Sequence, residues 1–198
     1  MTSDILAGLS LFALVSSITP GPNNIMLMTS GVNYGVKRTL PHMFGVGIGF
    51  TLMVAAVGMG VMVIFDRFPV IYSVLRIVSL SYLLYLAYKI ATANQANWQS
   101  KSTGKPMTFL QAALFQWVNP KAWTMALTAI TVYAPGREVS SILFVAMVFG
   151  VINLPCISSW VMAGTKLRHF LSKPKTLRVF NVSMALLLIA SVLPSLFN

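Results

Sequence analysis

Apolar residues run through this chain in six long stretches, at 5–30, 42–65, 70–89, 108–133, 140–164 and 179–197. A helix needs about 20 apolar residues, with a range of roughly 17–25, to cross a bilayer. Each stretch is therefore predicted to be one crossing. The third has the weakest claim, because Arg76 and Lys89 bracket its most apolar part; both can snorkel toward opposite interfaces, so a short third helix is expected. Turn-formers or charges separate the stretches: Asn33-Tyr34-Gly35, Asp66-Arg67, Ala134-Pro135-Gly136 and Ser172-Lys173-Pro174. Residues 94–106 are the one polar linker. The pattern predicts an all-α integral membrane protein, a single domain over 1–198 with halves of about 1–93 and 107–198.

Two of the stretches are interrupted near their middles, by Thr19-Pro20-Gly21-Pro22-Asn23-Asn24 and by Asn119-Pro120-Lys121. Lipid cannot satisfy the backbone groups that such a break frees, so breaks survive only where protein buries them or where they line a wet cavity. Three crossings per half is an odd number, so the halves insert with opposite polarity. The expected architecture is two inverted three-helix repeats, with the first and fourth helices broken. The word Phe44-Gly45-Val46 recurs as Phe149-Gly150-Val151, either as a relic of the repeat or by coincidence.

Proline disfavours helix in its predecessor and suits the first turn of a new helix, so Pro22 and Pro120 are predicted to start fresh half-helices. Helix starts offer unpaired N–H groups and partial positive charge for an anion. The helix ends before the breaks offer carbonyls suited to an ammonium, so a zwitterion matches both. Thr19, Asn23, Asn24 and Asn119 add neutral donors and acceptors at no cost in buried charge. Lys121 is the only charge predicted deep in the bilayer, where a lysine costs about 2.5–3.5 kcal/mol. Two roles stand open for it: a clamp on a substrate carboxylate, or a tie to the carbonyls of the broken first helix. The candidate binding set is Thr19, Pro20, Gly21, Pro22, Asn23, Asn24, Gln116, Asn119, Pro120 and Lys121, with no catalytic residue, metal or cofactor expected.

Composition agrees: 57% of residues are hydrophobic, 9% are charged, and the mean hydropathy is +0.79. The net charge of +11 is spread thinly between apolar segments, which argues for loop placement and against nucleic acid. Lys37, Arg38, Lys89, Lys101, Lys105, Lys166, Arg168, Lys173, Lys175 and Arg178 follow stretches one, three and five; Asp4, Asp66 and Glu138 fall on the other side. The positive-inside rule puts those basic loops in the cytoplasm and both termini outside. A lone Cys156 beside Pro155 excludes an internal disulfide and reads as packing. The N-terminus has no basic region before its apolar run, so no cleavable signal is expected.

Weaker features complete the reading. Gly45, Gly47 and Gly49 follow no strand and read as close helix packing. Asn153-Leu154-Pro155 reads as a kink, with a cavity-lining break as the alternative. Gln116 and Asn181 face either a pathway or a helix partner. His42 reads as a solvated interfacial histidine, with proton carriage as the alternative. Tyr82, Tyr85 and Tyr88 read as a packed helix face.

At the two breaks the chain resembles the lysine-exporter family of LysE/RhtB type. The likeness continues in the glycine-rich second helix, in Ser81-Tyr82-Leu83-Leu84-Tyr85-Leu86, and in Gln116-Trp117-Val118-Asn119-Pro120-Lys121-Ala122. It implies a bacterial inner-membrane protein that exports an amino acid or close metabolite. It looks most like the branch handling cysteine, O-acetylserine, homoserine or threonine, since a cationic substrate would favour an intramembrane carboxylate. The expected partners are that small zwitterion and the bilayer, with self-association open. Proton coupling would fall to His42, Lys121 or the substrate, and facilitated efflux is the alternative. Competing classes fare worse. A membrane enzyme lacks intramembrane acids, a metal-ion carrier lacks carboxylate and sulfur ligands, and a membrane scaffold leaves the two breaks unexplained.

Overall fold

The structure, a computed structural model, describes residues 3–93, 105–134, 136, 138–171 and 173–191. Every regular element among them is helical. In chain order they are α1 (Ser3–Ile18), α2 (Pro22–Gly58), α3 (Val61–Arg67), α4 (Val70–Ala91) and α5 (Phe109–Phe115), the last continued by a 3-10 turn at Gln116–Val118. Then come α6 (Pro120–Tyr133), α7 (Val139–Leu167) and α8 (Pro174–Ala190). The helices α2, α4 and α7 are each long and apolar enough to cross a membrane, and α1 is a shorter apolar helix. Most of the 94–106 linker, the tips of the turns at Pro135 and Ser172, and the end of the sixth stretch lie outside the described residues.

α2 is a hairpin rather than a rod. Gly35 alone is non-helical, with φ of 76°, a conformation that glycine adopts without the clash a side chain would bring. Ser30 and Thr39 stand nine residues apart, yet their buried hydroxyls meet at 2.9 Å. A straight helix would hold them about 13 Å apart, so the chain reverses at Gly35. The predicted turn at Asn33-Tyr34-Gly35 therefore exists, but it takes a single residue. The second arm resumes at once, well before residue 42.

The far end of that arm corrects the predicted boundary at 65. Helix stops at Gly58, the chain turns through Met59 and Gly60 (φ 97°), and Val61–Arg67 forms a short separate helix. Apolar residues on both sides of Gly60 disguise the turn. The Asn153-Leu154-Pro155 stretch does not break α7, which runs unbroken from Val139 to Leu167. The repeated word is not a repeated environment either: Phe44 is 41% exposed and Phe149 fully buried.

The main core joins α1, the second arm of α2, α6 and α7. Phe149 packs edge-on against Phe12 and Phe50, with ring centroids 5.8 and 5.1 Å apart, among Leu9, Met53, Ala126 and Val145. α1 lies on α7, and α5 lies on the second arm of α2, where Gly45 and Gly49 let the backbones of Phe109 and Ala113 come close. Without a hydrophobic drive between helices in lipid, such small residues let van der Waals contact hold the bundle. α4 packs on α8 through Leu83, Leu86 and Ala87 against Ala185 and Leu188.

Candidate functional site

The first break frees the carbonyls at the end of α1, and each from Val15 to Pro20 finds a donor. Thr19 N–H takes Val15 O, and the Thr19 hydroxyl takes Ser16 O. Asn24 Nδ2 donates to Ser17 O and Thr19 O, both at 2.8 Å. Trp160 Nε1 donates to Ile18 O at 3.1 Å. Lys121 Nζ donates to Thr19 O at 2.8 Å, Thr19 Oγ1 at 2.9 Å and Pro20 O at 3.3 Å. An ammonium has three donors, and all three are engaged. The carbonyls that the sequence offers to a substrate ammonium thus hold a resident one.

Gly21 lets that lysine lie across the break. Its backbone is extended (φ −175°), so conformation does not demand glycine there; space does. A Cβ at Gly21 would come within 2.6 Å of Lys121 Cδ. Pro22 then starts α2 as predicted, and no side chain caps the N–H groups of that start.

The second break is built locally. A capping box of Thr108 and Gln111 opens α5, and a 3-10 turn tightens its end. Asn119 caps α6 with its own side chain, Oδ1 accepting from Lys121 N–H at 3.2 Å, and Pro120 takes the first turn. Trp123 Nε1 donates back to Trp117 O at 2.9 Å. Gln116 is fully buried and faces a helix partner: its amide donates to Ala112 O, and it exchanges hydrogen bonds with the Asn23 amide at 2.8 and 3.2 Å.

The two breaks meet at one cavity of about 30 Å³, room for a water or so. Gly21, Asn23, Asn24, Asn119 and Lys121 line it together. Thr19 and Pro20 are exposed and contact Lys121, while Pro22, Pro120 and Gln116 do not line the cavity. Ser17 and Asn153 line it too and were not in the expected set. Asn153 is signalled by a polar residue in the middle of an apolar helix. Ser17 carries no such signal, yet its hydroxyl is buried with no partner. No carboxylate lines the cavity; Asp4, Asp66 and Glu138 are all exposed. Among the described residues, no group of three or more His, Cys, Asp or Glu could hold a metal ion.

Two expectations about other residues change, and one open alternative closes. His42 is not solvated: it is 2% exposed, enclosed where α4 and α5 close over the α2 hairpin, and neither ring nitrogen has a partner. Asn181 faces helix partners, accepting from Asn33 and donating to Ala93 O. Of the three tyrosines only Tyr82 packs inward, on Phe115; Tyr85 and Tyr88 are 52% and 67% exposed, because a spacing of three drifts around a helix of 3.6 residues per turn. Cys156 is buried, consistent with packing.

Comparison with known proteins adds a family. The LysE type translocator family matches residues 14–192. The chain is similar to a cysteine/O-acetylserine efflux protein of Salmonella paratyphi A, 28% identical over 198 residues and 96% of each chain. It is similar to proteins of the same description from Klebsiella pneumoniae, at 27% over 83% of this chain and 84% of that one, and from Escherichia coli O139:H28, at 27% over 96% of each. No solved structure matches the chain.

Proposed function

The chain belongs to the LysE type translocator family, and from that premise we propose that it exports small neutral amino acids or close derivatives, of the cysteine and O-acetylserine type, across the bacterial inner membrane. The observation that carries this reading is the convergence of both proline breaks on one polar cavity without a carboxylate. A cationic side chain would meet Lys121 there and no counter-charge. The substrate carboxylate goes to the uncapped start of α2, where backbone N–H groups and partial positive charge stand beside the free Ser17 hydroxyl. The amide oxygen of Asn153, which lines the same cavity, is a neutral acceptor for its ammonium. Lys121 holds the break open to substrate instead of gripping it.

The architecture proposed to carry out this transport is one domain of two inverted three-helix halves, with both termini periplasmic. The packing of α1 on α7 and of α5 on α2, with α4 on α8, supports the pairing of halves. Loop charge supports the orientation. A cavity near 30 Å³ is a closed form, so the halves must part to admit a solute.

Efflux of a radiolabelled amino-acid panel from cells overexpressing the chain tests the proposal. Cysteine, O-acetylserine, homoserine and threonine should leave faster than from control cells. Preferential export of lysine or arginine would overturn the substrate class.

A further inference from the structure

A second and larger cavity, of about 200 Å³, lies where the ends of α4 and α5 close over the hairpin of α2. Its buried wall holds His42, and its exposed rim carries Lys89 and Lys105. Tyr82, Tyr85 and Leu86 form part of the wall between. Buried polar atoms nearly always have hydrogen-bond partners, so an imidazole with both nitrogens enclosed and unpartnered calls for one. The space would hold several water molecules, the size class of a small amino acid.

We propose that this cavity is a loading site for the exported amino acid, distinct from the cavity at the breaks; the identity of its ligand rests on the function proposed above. The chemistry selects the ligand. Two ammonium groups at the rim, with no acid among the described lining residues, take a carboxylate. Aromatic and aliphatic walls take a short, weakly polar body. Imidazole offers one donor and one acceptor in its neutral form, which suits a thiol, hydroxyl or ester at the buried end. A charged side chain finds no counter-charge beside His42. The position also fits loading. Met26 lines this cavity and Asn23 lines the other, one turn apart on α2, with the Asn23–Gln116 amide pair beside them.

The chain has two histidines, His42 and His169, so imidazole NMR of the full protein in nanodiscs reads the site directly, and His169→Gln assigns the signals. O-acetylserine and cysteine should shift the His42 resonances saturably, while their methyl esters, lacking the carboxylate, should not. Lys89→Met with Lys105→Met should weaken the apparent affinity about tenfold, the loss of a charge-assisted contact. A chain that exports these solutes but shows no saturable His42 response has no loading site here, as does one whose response survives the double lysine change. Failure of the function instead appears as absent export in the efflux panel, whatever His42 does. The titration reads the natural side chain, so a variant that misfolds cannot decide it.

Discussion

The two proline breaks are alike in sequence and unlike in construction. The second is completed within its own neighbourhood: Asn119 caps the helix that follows it, and Trp123 reaches back six residues to Trp117 O. The first depends on distant chain. Its carbonyls are held by Lys121, 101 and 102 residues away, and by Trp160, 142 residues away, with only Thr19 and Asn24 acting locally. Its following helix has no side-chain cap. The second break is thus a finished scaffold that supplies the lysine completing the first. The start of α2 is left uncapped, which is why the substrate carboxylate is proposed to go there.

The largest expected effect comes from cutting that dependence. Lys121→Met leaves Pro20 O without its donor and Thr19 O with Asn24 Nδ2 alone, a loss on the order of 3 kcal/mol for hydrogen bonds to a charged group, partly offset by removing a costly intramembrane charge. Thermal unfolding in detergent should show a lowered midpoint together with lost export. Lys121→Arg should not restore it, since a forked guanidinium does not fit between three oxygens arranged around a compact ammonium. A Lys121→Met protein that keeps its melting temperature and loses only export would return the lysine to the role of carboxylate clamp.

Gly21→Ala attacks the same contact from the other side and should cost less. The new Cβ collides with the lysine stem, which is flexible, and the extended backbone accepts alanine without strain. Displacing the stem should lower stability by roughly 1–2 kcal/mol, the range for inserting a methyl into a packed site. If Gly21→Ala is neutral while Lys121→Met is not, the lysine has an alternative path to the same carbonyls.

What the sequence made legible follows the range of the forces involved. Proline acts on its neighbours, so the starts of α2 and α6 at Pro22 and Pro120 were readable, as was the reversal near Gly35. The boundary at Gly58 was not, because Met59-Gly60-Val61 keeps the apolar signal running through a turn set by one backbone angle. The partners of Lys121 lie across the whole chain, so local pattern could offer two roles without choosing. His42 shows the same limit. Its burial comes from the ends of α4 and α5 closing over the hairpin, and no local feature of Pro41-His42-Met43 announces them. Ser17 lines the cavity beside Asn24, which holds its carbonyl, and Lys121, which comes from the second break.

The smallest effect is expected at the second break itself, and it tests whether that break is self-contained. Asn119→Ala removes a side-chain cap, worth about 1 kcal/mol, while Pro120 still sets the helix start and the Trp123 bond remains. Stability should fall slightly, and Lys121 should still reach Thr19, so export should persist at a reduced rate. Asn119→Asp separates the cap from the ligand. Its carboxylate can still accept from Lys121 N–H, and negative charge is favoured at a helix start, so the melting temperature should recover toward that of the natural chain. That same carboxylate now lines a cavity proposed to receive a substrate carboxylate a short distance away, at the start of α2. Export of cysteine and O-acetylserine should therefore fall below the Asn119→Ala rate despite the better fold. Equal export by the two variants would mean that Asn119 serves only its helix, leaving Asn153 and the start of α2 to hold the solute.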